Sequence, residues 1–439
     1  MFLAALAAVL PSVLLSGCSE TLYSDEKDVK LQFSVDTLSF DTLFTTVGST
    51  TRQVRVYNRS GRNVVLSSVT LRDGRQSRFR LNVDGDTAMV ARDIEILDGD
   101  SIFIFVQANI DPRNETSPFV VDDAIVFGNG QRLPLTAWGR NAIYHKVPAG
   151  ASWSTIDCNT WDHTLPHVFL GHGLVPEGKT LTLNAGDELY FASGAMLIVD
   201  STATLKVQGT AEQPVLFSSL RRDGWYRFLP GQWQTIWFYN CSTGNSIDHA
   251  IIENGMGAVR CYPGASVTVT NSVIRNMSDA AIVGQSIAIA HGNIVVQTAT
   301  INGNNLLVYD CLTAITVLGG SYDFTGCTFA NYWSYSARKL PNVVLSNYMT
   351  IGNTNVGADL LKADFKDCII YGTYQDGELI AVADGVHALN HNEPHSIVRG
   401  GEWSVDPMFN NPKEGDYTLQ EGSPAIGLGF NFQDNISFK

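Results

Sequence analysis

From residue 247 onward the chain repeats one pattern: apolar and polar positions alternate, a polar and a small residue follow, and an apolar run closes the unit. It reads IDHAIIEN at 247–254, VTVTNSVIRN at 267–276, IAIAHGNIVV at 287–296, LLVYDCLTAI at 306–315, YDFTGCTFAN at 322–331, VVLSNYMTI at 343–351 and ADFKDCIIYG at 363–372. The small slot is filled in turn by Ala250, Ser272, Gly292, Cys311, Cys327, Tyr348 and Cys368, at steps of 16 to 22 residues. A unit this short cannot bury its apolar face alone, so the repeat predicts stacked coils of a parallel β-helix. Side chains alternate in and out along each strand, and those seven residues are expected to form an internal ladder with rungs roughly 4.8 Å apart. The cysteines in it then act as small apolar fillers. If Cys311 and Cys327 stack, their spacing allows a disulfide. Cys158, Cys241 and Cys261 fall outside the register.

Residues 31–141 follow a different rhythm. Short alternating runs such as RQVRVYN at 52–58 are separated by the turn formers NRSGRN, RDGRQS, VDGD and FGNGQ. Strands at this spacing predict an antiparallel β-sandwich. DSIFIFVQANID at 100–111 is expected to be its central strand, and residues 120–140 its last hairpin. The fold class is therefore all-β, a sandwich followed by a β-helix over 150–405, with a closing segment over 406–439.

Charge and the first residues add a location. The formal net charge of −14 excludes nucleic acid as a partner. MFLAALAAVLPSVLLSG is an uncharged apolar stretch of signal-peptide length, too short for a membrane span, so residues 1–17 are expected to be removed. Residues 18–30 carry Glu20, Asp25, Glu26 and Asp28 and form an acidic tether.

Leu15-Ser16-Gly17-Cys18 resembles the bacterial lipobox, which implies a covalent lipid on Cys18. Ser19 after the cysteine, and the acidic cluster beyond it, resemble lipoproteins of the Bacteroidota sent to the outer membrane and its outer surface. The first module resembles the immunoglobulin-like units that precede larger domains in bacterial surface proteins. KTLTLNAGDELYFASGAMLIVDSTATLKVQGTAEQPVLFSS at 179–219 resembles the first coils of right-handed, pectin-lyase-type β-helices, and DPMFNNPKEGDYTLQEGSPAIGLG at 406–429 resembles the segment that closes them. Together these resemble the β-helix surface lipoproteins of the Bacteroidota over nearly the whole mature chain.

Chemistry is sparse by comparison. Glycoside hydrolysis needs two carboxylates across the scissile bond. His291-Gly292-Asn293 resembles the Gly-His-Gly element of β-helix hydrolases, but Ala290 replaces the first glycine and the companion Asp motifs are missing. Asp279 and Asp310 read as single carboxylates in ladder turns, and His249 as a turn residue. No cysteine and histidine spacing fits a metal site, so neither catalytic residues nor a metal or other cofactor is assigned.

Two stretches break the coil pattern. Residues 221–237 gather Arg221, Arg222, Trp225, Tyr226, Arg227 and Trp233, and residues 331–342 gather Tyr332, Trp333, Tyr335 and Arg338. Trp, Tyr and Arg anchor interfaces, and flat rings stack on sugars. These residues are candidates for binding a protein or a glycan; equally, they cover the helix flank. The leading expectation is a non-enzymatic, surface-exposed outer-membrane lipoprotein acting as a scaffold or binding subunit of an envelope complex, such as an accessory of a β-barrel assembly or transport machine. The alternative is a polysaccharide-binding or polysaccharide-degrading β-helix, and an adhesin is a third reading.

Overall fold

Alternating runs bounded by turns leave each strand of the first unit with one apolar face, and two sheets close over those faces. The computed structural model describes residues 22–432 except 115, 117 and 291. The first unit ends at Arg140. One sheet runs in the order Tyr23–Ser24, Asn63–Leu71, Phe119–Phe127, Arg132–Arg140, Leu38–Phe44, with Val90–Ile96 on the far side of Asn63–Leu71. The other runs Gln32–Phe33, Arg52–Tyr57, Ser101–Ala108, Phe79–Val83. Ser101–Ala108 lies inside its sheet, and Phe119–Phe127 and Arg132–Arg140 form an antiparallel hairpin. Val54, Val56, Leu66, Phe79, Ile104, Ile125 and Leu133 are fully buried in the resulting β-sandwich core.

The second unit, from Asn141, is a right-handed parallel β-helix. Each full coil adds a strand to each of three faces. Ala250–Glu253, residues 272–275 and 306–309, Thr328–Asn331 and Ile369–Gly372 belong to the first face. Val259–Cys261, Ala280–Gln285, Thr313–Leu318 and Val343–Ser346 belong to the second. Asn245–Asp248, residues 266–270 and 300–304, Gly320–Thr325 and Leu360–Lys366 belong to the third.

One left-handed residue turns the third face into the first on successive coils: His249, Asn271, Asn305, Gly326, Asp367 and His395, with φ between 48° and 59°. Glycine and short polar side chains tolerate that region. The residue after each bend points inward, so the internal ladder runs Ala250, Ser272, Leu306, Cys327, Cys368, Ser396.

This corrects three of the expected rungs. Gly292 is at the tip of a hairpin formed by Ile287–Ala290 and Asn293–Val296, and Tyr348 opens another, Tyr348–Ile351 with Thr354–Gly357. Both hairpins are about half a coil long and themselves alternate, so they imitate a coil in a period count. Cys311 belongs to the following bend, behind Asp310. It is not on the rung of Cys327, and the six described cysteines, Cys158, Cys241, Cys261, Cys311, Cys327 and Cys368, are free thiols.

Inside the early coils rings stack on rings. His145 pairs in register with Phe169, and Phe169 with Phe191. Ring centroids are 4.3 Å apart from His145 to Phe169, 4.9 Å from Phe169 to Phe191 and 4.5 Å from Phe191 to Trp233. The closing segment does not merely cover the last coil. It runs back along the outside of the first face, where Val273, Leu307, Ile369 and Ile397 point outward and are apolar, and it buries them under Phe409, Tyr417, Leu428 and Phe430.

Candidate functional site

Three successive coils place Glu253, Arg275 and Tyr309 in register on the outside of the first face. The next residue on each coil is a second left-handed bend: Asn254 at φ 65°, Asn276 at 61° and Asp310 at 49°. Above this row opens a cleft of about 410 Å³. The loop around Gly224–Phe228 forms one wall, residues 332–335 another, and Pro412–Glu414 of the closing segment the third.

The bend residues fasten the first wall. Asn254 Nδ2 donates to the carbonyl of Arg227 at 2.9 Å, and Asn276 Nδ2 donates to that of Phe228 at 2.5 Å. The Tyr335 hydroxyl donates to the same Phe228 carbonyl at 2.6 Å, so two of the walls are tied to each other.

Glu253 is saturated. It accepts from the Ser218 hydroxyl at 2.7 Å and from Arg275 Nε and Nη2 at 3.0 and 2.7 Å, with Arg222 at 3.9 Å. Arg275 Nη1 donates onward to the Tyr309 hydroxyl at 3.0 Å. Asp310 occupies the bend where the two preceding coils carry asparagine. Burial pushes its carboxyl above the ordinary aspartate value, against the opposing pull of the Tyr417 hydroxyl, the Tyr332 backbone N–H and the Arg275 charge. Asp310 therefore keeps its proton to a higher pH than a solvent-exposed aspartate does.

The structure divides the residues singled out from sequence. Arg222, Arg227, Tyr332 and Tyr335 line the cleft, and Trp225 stands exposed on its wall. Arg221 is spent locally, over the Tyr226 ring at 3.0 Å and on Asp223 at 3.0 Å. Trp333 faces the other side of its loop, in a neighbouring depression.

Two candidates are corrected. Trp233 is fully buried at the end of the aromatic stack, its indole N–H donating to the Glu253 carbonyl at 2.8 Å, because its strand leads into the second face. Arg338 is only 5% exposed and is held by Glu378 at 2.8 and 2.9 Å, so it braces its loop rather than meeting a ligand. Of the turn residues, Asp279 pairs with Arg260 at 2.8 Å and His249 lies 3.1 Å from Asp248. Cys18 and His291 lie outside the described residues.

Sequence reasoning missed Glu253, Arg275, Tyr309, Tyr417 and Lys413 as parts of one cleft. A signal for the first three existed: in AIIEN, SVIRN and LLVYD each stands three residues past the true ladder slot.

No protein-family model matches the chain, and no curated protein matches it. Solved structures similar to it include the catalytic domain of GH87 alpha-1,3-glucanase in complex with tetrasaccharides, at 11% identity and a TM-score of 0.22, covering 80% of this chain and 79% of that one. The same catalytic domain in complex with nigerose matches at 11% identity and a TM-score of 0.18, covering 80% and 78%. With these neighbours the expectation of a non-enzymatic envelope scaffold is corrected in favour of its polysaccharide alternative. A likeness this distant transfers no residue and no substrate to this chain.

Proposed function

We propose that this chain is a polysaccharide-binding β-helix protein and that the cleft over Glu253, Arg275, Tyr309 and Asp310 is its glycan site. The observation that carries this reading is the row Glu253, Arg275 and Tyr309, repeated at coil spacing, beneath the exposed ring of Tyr335. Rings offer apolar faces to a pyranose, and fixed guanidinium, amide and carboxyl groups offer hydrogen bonds to its hydroxyls. The test is a polysaccharide binding panel with the wild type and Tyr335→Ala, whose ring is exposed on the cleft wall. Retained binding by the variant sinks the assignment of the site.

Asp310 favours a second reading, hydrolysis. Protonated, it would give its proton to the glycosidic oxygen as the bond to the anomeric carbon breaks. Water would add to that carbon and pass its proton to Glu414, the exposed carboxylate on the third wall of the cleft. Release of reducing ends by the wild type, lost in Asp310→Asn with binding kept, is the outcome that reading requires.

The proposal retains a lipid on Cys18 and a place on the outer membrane, supported by Leu15-Ser16-Gly17-Cys18. Mass spectrometry of the mature N-terminal peptide tests it, and an unmodified Cys18 removes it.

A further inference from the structure

Next to the cleft lies a second depression of about 440 Å³, lined by Trp333, Ser336, Arg338, Tyr374, Gln375 and Asp376. It lies along the same edge of the helix. Thr328–Asn331 stacks on residues 306–309, and Ile369–Gly372 stacks on Thr328–Asn331. Residues 373–376 therefore leave the helix two coils beyond Asp310, roughly 10 Å along the axis.

The ridge between the two hollows is the loop 332–338. Tyr335 lines the cleft and Trp333 lines the depression, their ring centroids 5.1 Å apart and their planes at 56°. The ridge is fixed in place. The Trp333 backbone N–H donates to Asn331 Oδ1 at 3.1 Å, its indole N–H to Ser336 Oγ at 2.9 Å, and Arg338 pins the far end to Glu378. Gln375 and Asp376, both exposed, supply an amide and a carboxylate at the rim.

We infer that this depression is a second subsite for the glycan of the cleft. The ligand is then a chain laid along the helix axis over the Trp333 and Tyr335 ridge, one sugar ring against Trp333 and its hydroxyls on Gln375 and Asp376. The inference rests on the cleft reading and goes further, because it gives the polysaccharide a second contact site and the direction in which it runs across the ridge.

Calorimetric titrations with matched probes test it: dextran and isomaltose, polygalacturonate and digalacturonate, xylan and xylobiose. For whichever pair the wild type binds, Trp333→Ala is expected to weaken the polymer by about tenfold or more while leaving the disaccharide within about twofold. The exposed double variant Gln375→Ala, Asp376→Ala should show the same split and guards against a folding defect in the first. Polymer binding unchanged in both variants, with Tyr335→Ala impaired, overturns the second subsite and leaves the cleft standing. A wild type that binds none of the six probes overturns both.

Discussion

Tyr417 and Asp310 are 107 residues apart in sequence, and the tyrosine hydroxyl donates to Asp310 Oδ1 at 3.0 Å. The contact makes the closing segment part of the cleft. Tyr417 is itself buried among Tyr309, Tyr332 and Phe409, so its hydroxyl cannot turn to water instead.

Tyr417→Phe removes that donor with little change in packing. The expected cost is about 1–2 kcal/mol, measured by denaturant titration. The Asp310 carboxyl should rise still further, which carboxyl NMR would read; an unchanged titration would show that Tyr417 does not act on it.

Arg338 and Glu378 form a pair whose side chains are 5% and 0% exposed. Glu378 also accepts from the backbone N–H groups of Asn342 and Tyr374, each at 2.9 Å. Arg338→Met strands a buried carboxylate and should cost about 3–5 kcal/mol. The double variant with Glu378→Gln should recover part of that loss in a thermal melt.

Acid should loosen the first coils. His167 Nε2 donates to the Asp162 carbonyl at 2.7 Å, so its Nδ1 accepts from His145 Nε2 at 2.8 Å and both rings are neutral. Asp162, His163 and Asp187 are the charged or titratable neighbours. Burial, then the neighbouring His167, lowers His145 from 6.5 to about 4. The unfolded chain therefore takes up a proton that the folded one refuses. Stability is full above about pH 6.5 and falls as the pH drops toward 4. Trp161, stacked on His167 at 3.5 Å, should report the change in its fluorescence, and His145→Phe should flatten the profile.

Two tryptophans from one stretch should behave oppositely. Trp233→Ala opens the aromatic stack and should cost about 3–5 kcal/mol. Trp225, 67% exposed, should change stability by less than about 0.5 kcal/mol when replaced by alanine. Equal melting shifts for the two would contradict their placement.

The strand periodicity was strong enough to make both architectures legible, because a β-helix writes its pattern once per coil. Ala250, Ser272, Cys327 and Cys368 were readable for the same reason: each follows a bend residue tolerant of positive φ. Gly292 and Tyr348 misled because hairpins alternate as coils do. The cleft was harder to read. Glu253 and Asp310 meet it from different coils, and Lys413 and Tyr417 arrive from a segment whose return path depends on which outward side chains need cover. Trp233 and Trp225 share a composition and a neighbourhood, and only the bend between their elements separates core from surface.

The two hairpins 287–296 and 348–357 leave the helix where the second face gives way to the third, and on the coil between them Gly319 and Gly320 make the same passage in a single tight step. The strands flanking each excursion keep their register with the coils on either side, except for one bulge where Gly320 and Ser321 pair with Leu360 and Lys362. That corner is consequently a natural splice point: sequence can be grafted there or trimmed to a glycine pair on one coil, with a single bulge at the start of the third face taking up the difference, and new surface can be added to the molecule while its interior stays the same.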